Sequence, residues 1–251
     1  LLKDTYTEYH PLAIDTFAQK TNFQRQRYNI LEQSANKIVF TTKLEEGITI
    51  IKTIDLPSDK YNINMNIVLE NTTDTEVSFS YNVIASSMIT HEGEPSTDMA
   101  AVVGVEVGNK RTKLLHTAPK EFPSKNESVG IVWAGSTNKY FATILKPVSG
   151  DSVASINAQA FDAMGALSNE KADTGDFMVS LQTNKFRIPA HQSVKHRYLY
   201  FTGPKKEDIL EHYDTLDALL SSGWLTSISK VLLAFLNAVH RVIPNYGISI
   251  I

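Results

Sequence analysis

Cysteine is absent from all 251 residues. That absence excludes thiol catalysis, a cysteine-ligated zinc site and a disulfide framework. It is compatible with an oxidising compartment without establishing one. Also missing is any apolar run of the roughly 18–20 residues needed to span a bilayer. A basic surplus is lacking too. The chain has 24 Lys and Arg against 27 Asp and Glu, a net charge of −3, which argues against nucleic acid as a partner. No G-x-S-x-G elbow, Walker loop or G-x-G-x-x-G stretch occurs, and Gly104 and Gly108 lack phosphate-binding spacing.

What remains is the composition of a folded globular chain, 42% hydrophobic and 20% charged. It opens on LLKDTYTEYH, with no initiator Met and no signal segment, and so reads as part of a longer protein. The body predicts strand after strand. In YNINMNIVLE (61–70), Tyr61, Ile63, Met65, Ile67 and Leu69 fall on one face and Asn62, Asn64 and Asn66 on the other. A period of two marks a strand with one buried and one wet face. KIVFTTK (37–43), GITIIKTIDL (47–56), TEVSFSYNVIA (75–85), AAVVGVEV (100–107), VGIVWAG (129–135), KYFATILKP (139–147), DFMVSLQT (176–183) and SVKHRYLYFTG (193–203) read likewise. Turn formers such as Pro57-Ser58-Asp59 and Asn71-Thr72-Thr73-Asp74 separate them. Strands without alternating helices predict stacked antiparallel sheets, a large β-sandwich over residues 1–203. Residues 86–99 and 160–175 read as long surface loops at its rim.

Chemistry-bearing residues are scattered. His191 and His196 are five apart, which on one strand sets them on opposite faces and spoils a shared metal site. His91-Glu92-Gly93-Glu94 is not an H-E-x-x-H motif. A sugar mutarotase needs an acid and a base flanking one ring, and His116 or His191 with Glu92 or Glu121 are the candidates. Nothing in their spacing favours that pairing. The Asn71-Thr72-Thr73 and Asn126-Glu127-Ser128 sequons read as turn chemistry. Catalytic residues, metal ligands and cofactors are accordingly expected to be none.

Helical pattern is confined to the end. KKEDILEHY follows Gly203-Pro204 with acids in its first turn, and TLDALLSSG leads to Gly223, so 204–222 predicts short helical structure. The stretch GWLTSISKVLLAFLNAVHRVIPNYGISII (223–251) is different in kind. Leu225, Ile228, Val231, Leu232, Phe235, Leu236, Val239, Val242 and Ile243 trace one stripe at helical period, with Ser227, Lys230, Asn237 and Arg241 elsewhere. About 20 residues make a rod of about 30 Å, ended by Pro244. Its stripe has two placements: packed on the sandwich, or in a lipid headgroup region with Lys230 and Arg241 meeting phosphates and Trp224 and Tyr246 as anchors. Pro244, Asn245, Tyr246 and Gly247 then form a hinge into the apolar Ile248-Ser249-Ile250-Ile251.

Those residues resemble the end of the large periplasmic domain of the YidC/Oxa1/Alb3 insertase family. Gly203-Pro204, Gly223-Trp224, Asn245-Tyr246-Gly247 and Ile248-Ser249-Ile250-Ile251 sit at matching positions, and Tyr140-Phe141-Ala142 matches a Tyr-Phe-Ala run. The likeness is specific over about 55 C-terminal residues, looser over 40–203, and absent from the first 35. It implies a galactose mutarotase-like β-supersandwich, an amphipathic elbow helix at 223–244 and the start of a truncated membrane span at 245–251. It implies no enzyme activity and no cofactor. Implied partners are the membrane surface, the Sec translocon with its auxiliary subunits, and nascent inner-membrane proteins, with the domain facing the periplasm at the bacterial inner membrane. A carbohydrate-active or carbohydrate-binding sandwich is the alternative, and a module gripping extended peptide in a sandwich cleft is a third reading.

Overall fold

The alternating segments assemble into two stacked antiparallel sheets. The computed structural model describes residues 11–15, 27–58, 60–87, 100–107, 111–117, 130–148, 153–161, 167–168 and 177–220. Among them are sixteen strands: β1 (Ile14–Asp15), β2 (Asn29–Gln33), β3 (Lys37–Lys43), β4 (Ile48–Asp55), β5 (Asn62–Asn71), β6 (Val77–Phe79), β7 (Asn82–Ser87) and β8 (Ala100–Val107); then β9 (Arg111–Thr117), β10 (Ile131–Thr137), β11 (Phe141–Pro147), β12 (Val153–Phe161), β13 (Leu167–Ser168), β14 (Phe177–Thr183), β15 (Phe186–Ile188) and β16 (Ser193–Pro204). A nine-stranded sheet runs β2-β3-β4-β5-β16-β11-β10-β8-β9, and a five-stranded sheet runs β1-β7-β14-β12-β13. β15 and β6 form a small ribbon.

The core lies between the two large sheets. Ile48, Ile50, Met65, Ile67, Leu69 and Leu145 from the nine-stranded sheet join Val83, Ala85, Val179 and Leu181 from the other in one buried cluster. Each such side chain contributes roughly 1.5–3 kcal/mol of burial free energy. The period of two in β5 explains why Met65, Ile67 and Leu69 are all withdrawn from water.

Two parts of that expectation need correction. Tyr61 precedes β5 and is 46% exposed, and Asn62 is buried at 8%. Asn62 Nδ2 donates to Asn64 Oδ1 at 3.2 Å, so the polar face is not simply wet. Farther along the sheet that second face becomes apolar. Phe201 lies opposite Ile144, and Trp133 lies opposite Gly104. Trp133, Ile144 and Phe201 are all fully buried. The sheet is therefore buried on both faces at β16-β11-β10-β8, which is why AAVVGVEV and VGIVWAG lack clean alternation.

TEVSFSYNVIA, expected as one strand, is two. Val77–Phe79 pairs with β15, whereas Asn82–Ser87 pairs with β14. The break falls at Ser80-Tyr81, where the Tyr81 amide donates to Thr183 Oγ1 at 3.1 Å. Of the two expected rim loops, 88–99, 162–166 and 169–175 lie outside the described residues; residues 86–87, 160–161 and 167–168 are strand.

The chain divides into two units, Leu1–Pro204 and Lys205–Ile251. In the second, helix α1 is a single turn, Glu207–Leu210, followed by a 3-10 turn at Leu216–Leu220. The expected helices are shorter because Lys206 provides no side-chain cap and Thr215 adopts φ 72°, a left-handed conformation that stops propagation. Residues 221–251, including the amphipathic stretch 223–244 and the segment 245–251, lie outside the described residues.

Lys52 brings a half-buried charge to the margin of the sandwich core. Lys52 shares the core-facing side of β4 with Ile48 and Ile50, and its Nζ lies 5.6 Å from the Tyr28 ring centre and 5.7 Å from that of Phe40. It donates to the Leu12 carbonyl at 3.2 Å, tethering the segment that leads into β1. Burial lowers the Lys52 pKa to about 8. Since the unfolded value is higher, at 10.5, the unfolded chain holds the extra proton between these limits, and Lys52 makes stability rise as pH climbs through that window.

Lys52→Met removes that rise, so its stability advantage over the parent shrinks by about 2–3 kcal/mol between pH 8 and 10.5; urea titrations across that range would contradict this by showing a constant difference. At Gly104 an added Cβ would meet Trp133 Cε2 at 2.3 Å. Gly104→Ala should therefore cost about 1–3 kcal/mol in thermal or urea unfolding, through overpacking; an unchanged midpoint would show that Trp133 relaxes freely.

Candidate functional site

The residues expected to carry function do not fall in the described part of the chain. Trp224, Leu225, Ile228, Lys230, Val231, Leu232, Phe235, Leu236, Val239 and Arg241, and the hinge Pro244, Asn245, Tyr246 and Gly247, all lie beyond residue 220. The candidate mutarotase acids Glu92 and Glu121 are likewise outside it, as is His91. His116 belongs to β9 at one edge of the nine-stranded sheet. His191 stands in the turn before β16, and β9 is four strand positions from β16, about 19 Å at ordinary strand spacing. The fold does not bring the two histidines together.

Two of the described histidines, His191 and His196, have side-chain partners. His191 adopts φ 55°, and its Nε2 lies 2.9 Å from Asp74 Oδ1 in an exposed pair. His196 is buried on β16, where its Nδ1 is 2.6 Å from the Tyr81 hydroxyl. That hydroxyl is also 2.9 Å from the hydroxyl of Tyr198. The Tyr81 ring stacks on the imidazole with centroids 5.6 Å apart, and Phe186 closes in edge-on at 4.8 Å. This constellation was not legible in the sequence, because Tyr81 is some 115 positions from His196. It is a sealed polar joint between the small ribbon and the large sheet. His191 and His196 have different partners, and His191 stands in a turn rather than on the strand that carries His196.

Among the described residues, no group of three or more His, Asp or Glu is placed to hold a metal ion. Asn71 is committed to structure. Its Nδ2 donates to the carbonyls of Thr75 at 2.7 Å and Ile188 at 2.9 Å, while its Oδ1 accepts from the Thr73 amide at 2.9 Å. The first sequon is thus turn chemistry.

One surface feature stands out. Leu56, Tyr61, Tyr140 and Phe141 are exposed at 39%, 46%, 53% and 46%. All four lie at the same end of the nine-stranded sheet. Phe141 is opposite Pro204, the Thr202 amide donates to the Tyr61 carbonyl at 2.9 Å, and Leu56 directly follows β4. The hairpin tip is held rigid by Asn138, whose Oδ1 accepts from the amides of Tyr140 at 3.0 Å and Phe141 at 2.7 Å. The Tyr61 ring lies over Gly203, where any Cβ would meet it at 2.9 Å.

A β-sandwich followed by a second C-terminal unit matches one known family. The sequence profile of the YidC periplasmic domain fits residues 9–235, and the chain belongs to that family. It is 23% identical over 264 residues to the membrane protein insertase YidC of Francisella philomiragia, covering 98% of this chain and 44% of that protein. A 31% identity over 129 residues relates it to the insertase YidC of Pelobacter propionicus, covering 51% of this chain and 22% of that protein. The chain thus spans less than half the length of these relatives. In fold it is similar to a galactose mutarotase-like protein from Lactobacillus casei, with TM-score 0.51, 9% identity, and 79% and 83% of the two chains covered. A galactose mutarotase related enzyme from Lactobacillus acidophilus gives TM-score 0.50 at 8% identity, over 74% of each chain. These likenesses concern the fold alone. By family this is a periplasmic, non-enzymatic domain.

Tyr81→Phe removes one hydrogen-bond partner from His196 and one from Tyr198. It should lower stability by about 1–3 kcal/mol without changing the sheet content, as measured by circular dichroism and urea unfolding. Full retention of stability would mean that the hydroxyl is not part of the joint.

Proposed function

We propose that this chain is the periplasmic domain of a bacterial inner-membrane protein insertase, assisting insertion and folding of membrane proteins. The observation that carries the reading is the family match across residues 9–235. In this reading residues 1–203 are a scaffold and contact surface, 204–222 a short helical connector, and 223–244 an elbow helix lying at the outer leaflet. Pro244, Asn245, Tyr246 and Gly247 turn the chain into a membrane span beginning at 245–251. The translocation chemistry belongs to parts of the insertase outside this chain.

The amphipathic stripe supports the elbow. Its nine apolar side chains would supply a gross burial term on the order of 10 kcal/mol at a lipid boundary, before ordering costs. Lys230 and Arg241 sit outside that stripe, where lipid phosphates would meet them. The Sec translocon and its auxiliary subunits are proposed neighbours of the sandwich surface, and nascent inner-membrane proteins the substrates of the whole machine. A sugar-directed reading has no support beyond fold, and fold does not determine function.

A full-length insertase carrying Leu232→Asp and Phe235→Asp should accumulate normally and lose insertion of substrate proteins, measured by protease protection of a model inner-membrane protein. Normal insertion by that variant would remove the proposed role of the elbow.

A further inference from the structure

We infer that the bond from Lys52 to the Leu12 carbonyl is a clasp, which holds residues 11–15 as a releasable strap across the margin between the two large sheets. The device belongs to the β body and is separate from the role proposed for the C-terminal segment.

One residue of the strap is bonded to both sheets. The Leu12 amide donates to the Ile84 carbonyl of β7 at 2.8 Å, in the five-stranded sheet. The Leu12 carbonyl accepts from Lys52 Nζ of β4 at 3.2 Å, in the nine-stranded sheet. In a regular antiparallel pair, the amide and carbonyl of one residue face the same neighbour. At Leu12 they face different ones because the residue adopts φ 66°, in the left-handed region. A bulky side chain is strained there and persists only where its surroundings hold it in place. The Lys52 bond supplies that hold, since it satisfies the carbonyl that the left-handed turn directs away from β7.

The rest of the strap is lightly held. β1 is two residues long and stands at the edge of its sheet, with Ile14 opposite Val83 and Asp15 opposite Asn82. One further bond runs from the Ile84 amide to the Ala13 carbonyl at 2.9 Å. By comparison, β16 pairs with β5 from Ser193↔Glu70 to Phe201↔Asn62 and with β11 along its other edge. The remaining anchorage is apolar, for Leu12 and Ile14 are buried in the cluster between the sheets. A short edge pairing beside a strained residue belongs at the low end of local stability.

Lys52 is placed to act on this weak point. Its ammonium sits 5.6 Å from the Tyr28 ring centre and 5.7 Å from that of Phe40, and those two rings meet edge to face with centroids 6.4 Å apart. No ion pair among the described residues engages Lys52, so no carboxylate there competes with the Leu12 carbonyl. A half-buried ammonium needs an acceptor, and a turned carbonyl needs a donor; each group offsets the cost of the other. Release of the strap forfeits both and uncovers the β7 edge beside Asn82, Val83 and Ile84, so the clasp sets whether that edge is paired.

Native-state hydrogen exchange of the full 251-residue chain, read amide by amide, tests the clasp. The Leu12 and Ile84 amides report the strap, and the amides of the β5–β16 ladder report the sandwich. In the parent, the two strap amides should exchange at least about tenfold faster than the ladder, through an opening that leaves the ladder intact. Lys52→Met keeps an apolar stem and removes the donor. It should speed exchange at Leu12 and Ile84 by a further factor of about ten relative to the ladder. Strap amides as slow as the ladder in the parent overturn the strap. Equal acceleration at every site in the variant, or none at Leu12 and Ile84, overturns the clasp. A Lys52→Met chain that loses its β circular dichroism overturns both, since the bond would then support the whole sandwich.

Discussion

Strand β16 must be hydrogen-bonded along both of its edges, and the architecture turns on that requirement. On one side it pairs with β5 from Ser193↔Glu70 to Phe201↔Asn62, and on the other with β11 from Phe141↔Pro204 to Pro147↔Tyr198. An unpaired backbone group in that position would cost more than most side-chain contacts contribute. The early β2–β5 meander and the later β8–β11 pairings can therefore form one sheet only through a strand placed late in the chain. Such long-range closure implies slow, cooperative assembly. It also fixes where the chain exits, beside the rigid hairpin of Tyr140 and the ring of Tyr61.

That geometry separates two jobs. The interior holds polar side chains in local contacts: the Tyr81 hydroxyl meets both His196 and Tyr198, Lys52 donates to the Leu12 carbonyl beside the Tyr28 and Phe40 rings, and no described cluster of His, Asp or Glu could hold a metal ion. The frame is mutarotase-like in fold alone, and fold does not determine function. The exterior, by contrast, gathers aromatic side chains where the chain departs.

Much of this was legible in the sequence where burial differs between the two faces. β3 and β8 match their expected bounds, and β5 is displaced by one residue, because alternating or β-branched runs announce themselves. NILEQ in β2, RTKLLHT in β9 and VASINAQAF in β12 are strands without a strand-like pattern. β2 is exposed on both faces, carrying Ile30 and Leu31 at a register irregularity in its pairing with β3, and so leaves no periodic signature. β9 and β12 lack clean alternation: Leu114 and Leu115 are adjacent in β9, and Val153, Ile156 and Phe161 are three and five apart in β12. The break at Ser80-Tyr81 was hidden because apolar character continues across it while the pairing partner changes. The Tyr81–His196 joint is tertiary and has no local signal. The terminal stripe, legible from its period and family motif, lies outside the described residues, and its role is the one proposed above.

The central claim is a division of labour, with the sandwich as support and the 223–244 segment as the element insertion depends on. The direct measurement is insertion of a model inner-membrane protein by full-length insertases lacking either residues 1–203 or residues 224–243, at matched expression. The account predicts that the first deletion largely retains insertion and the second abolishes it. Loss of insertion in the first with retention in the second would contradict it.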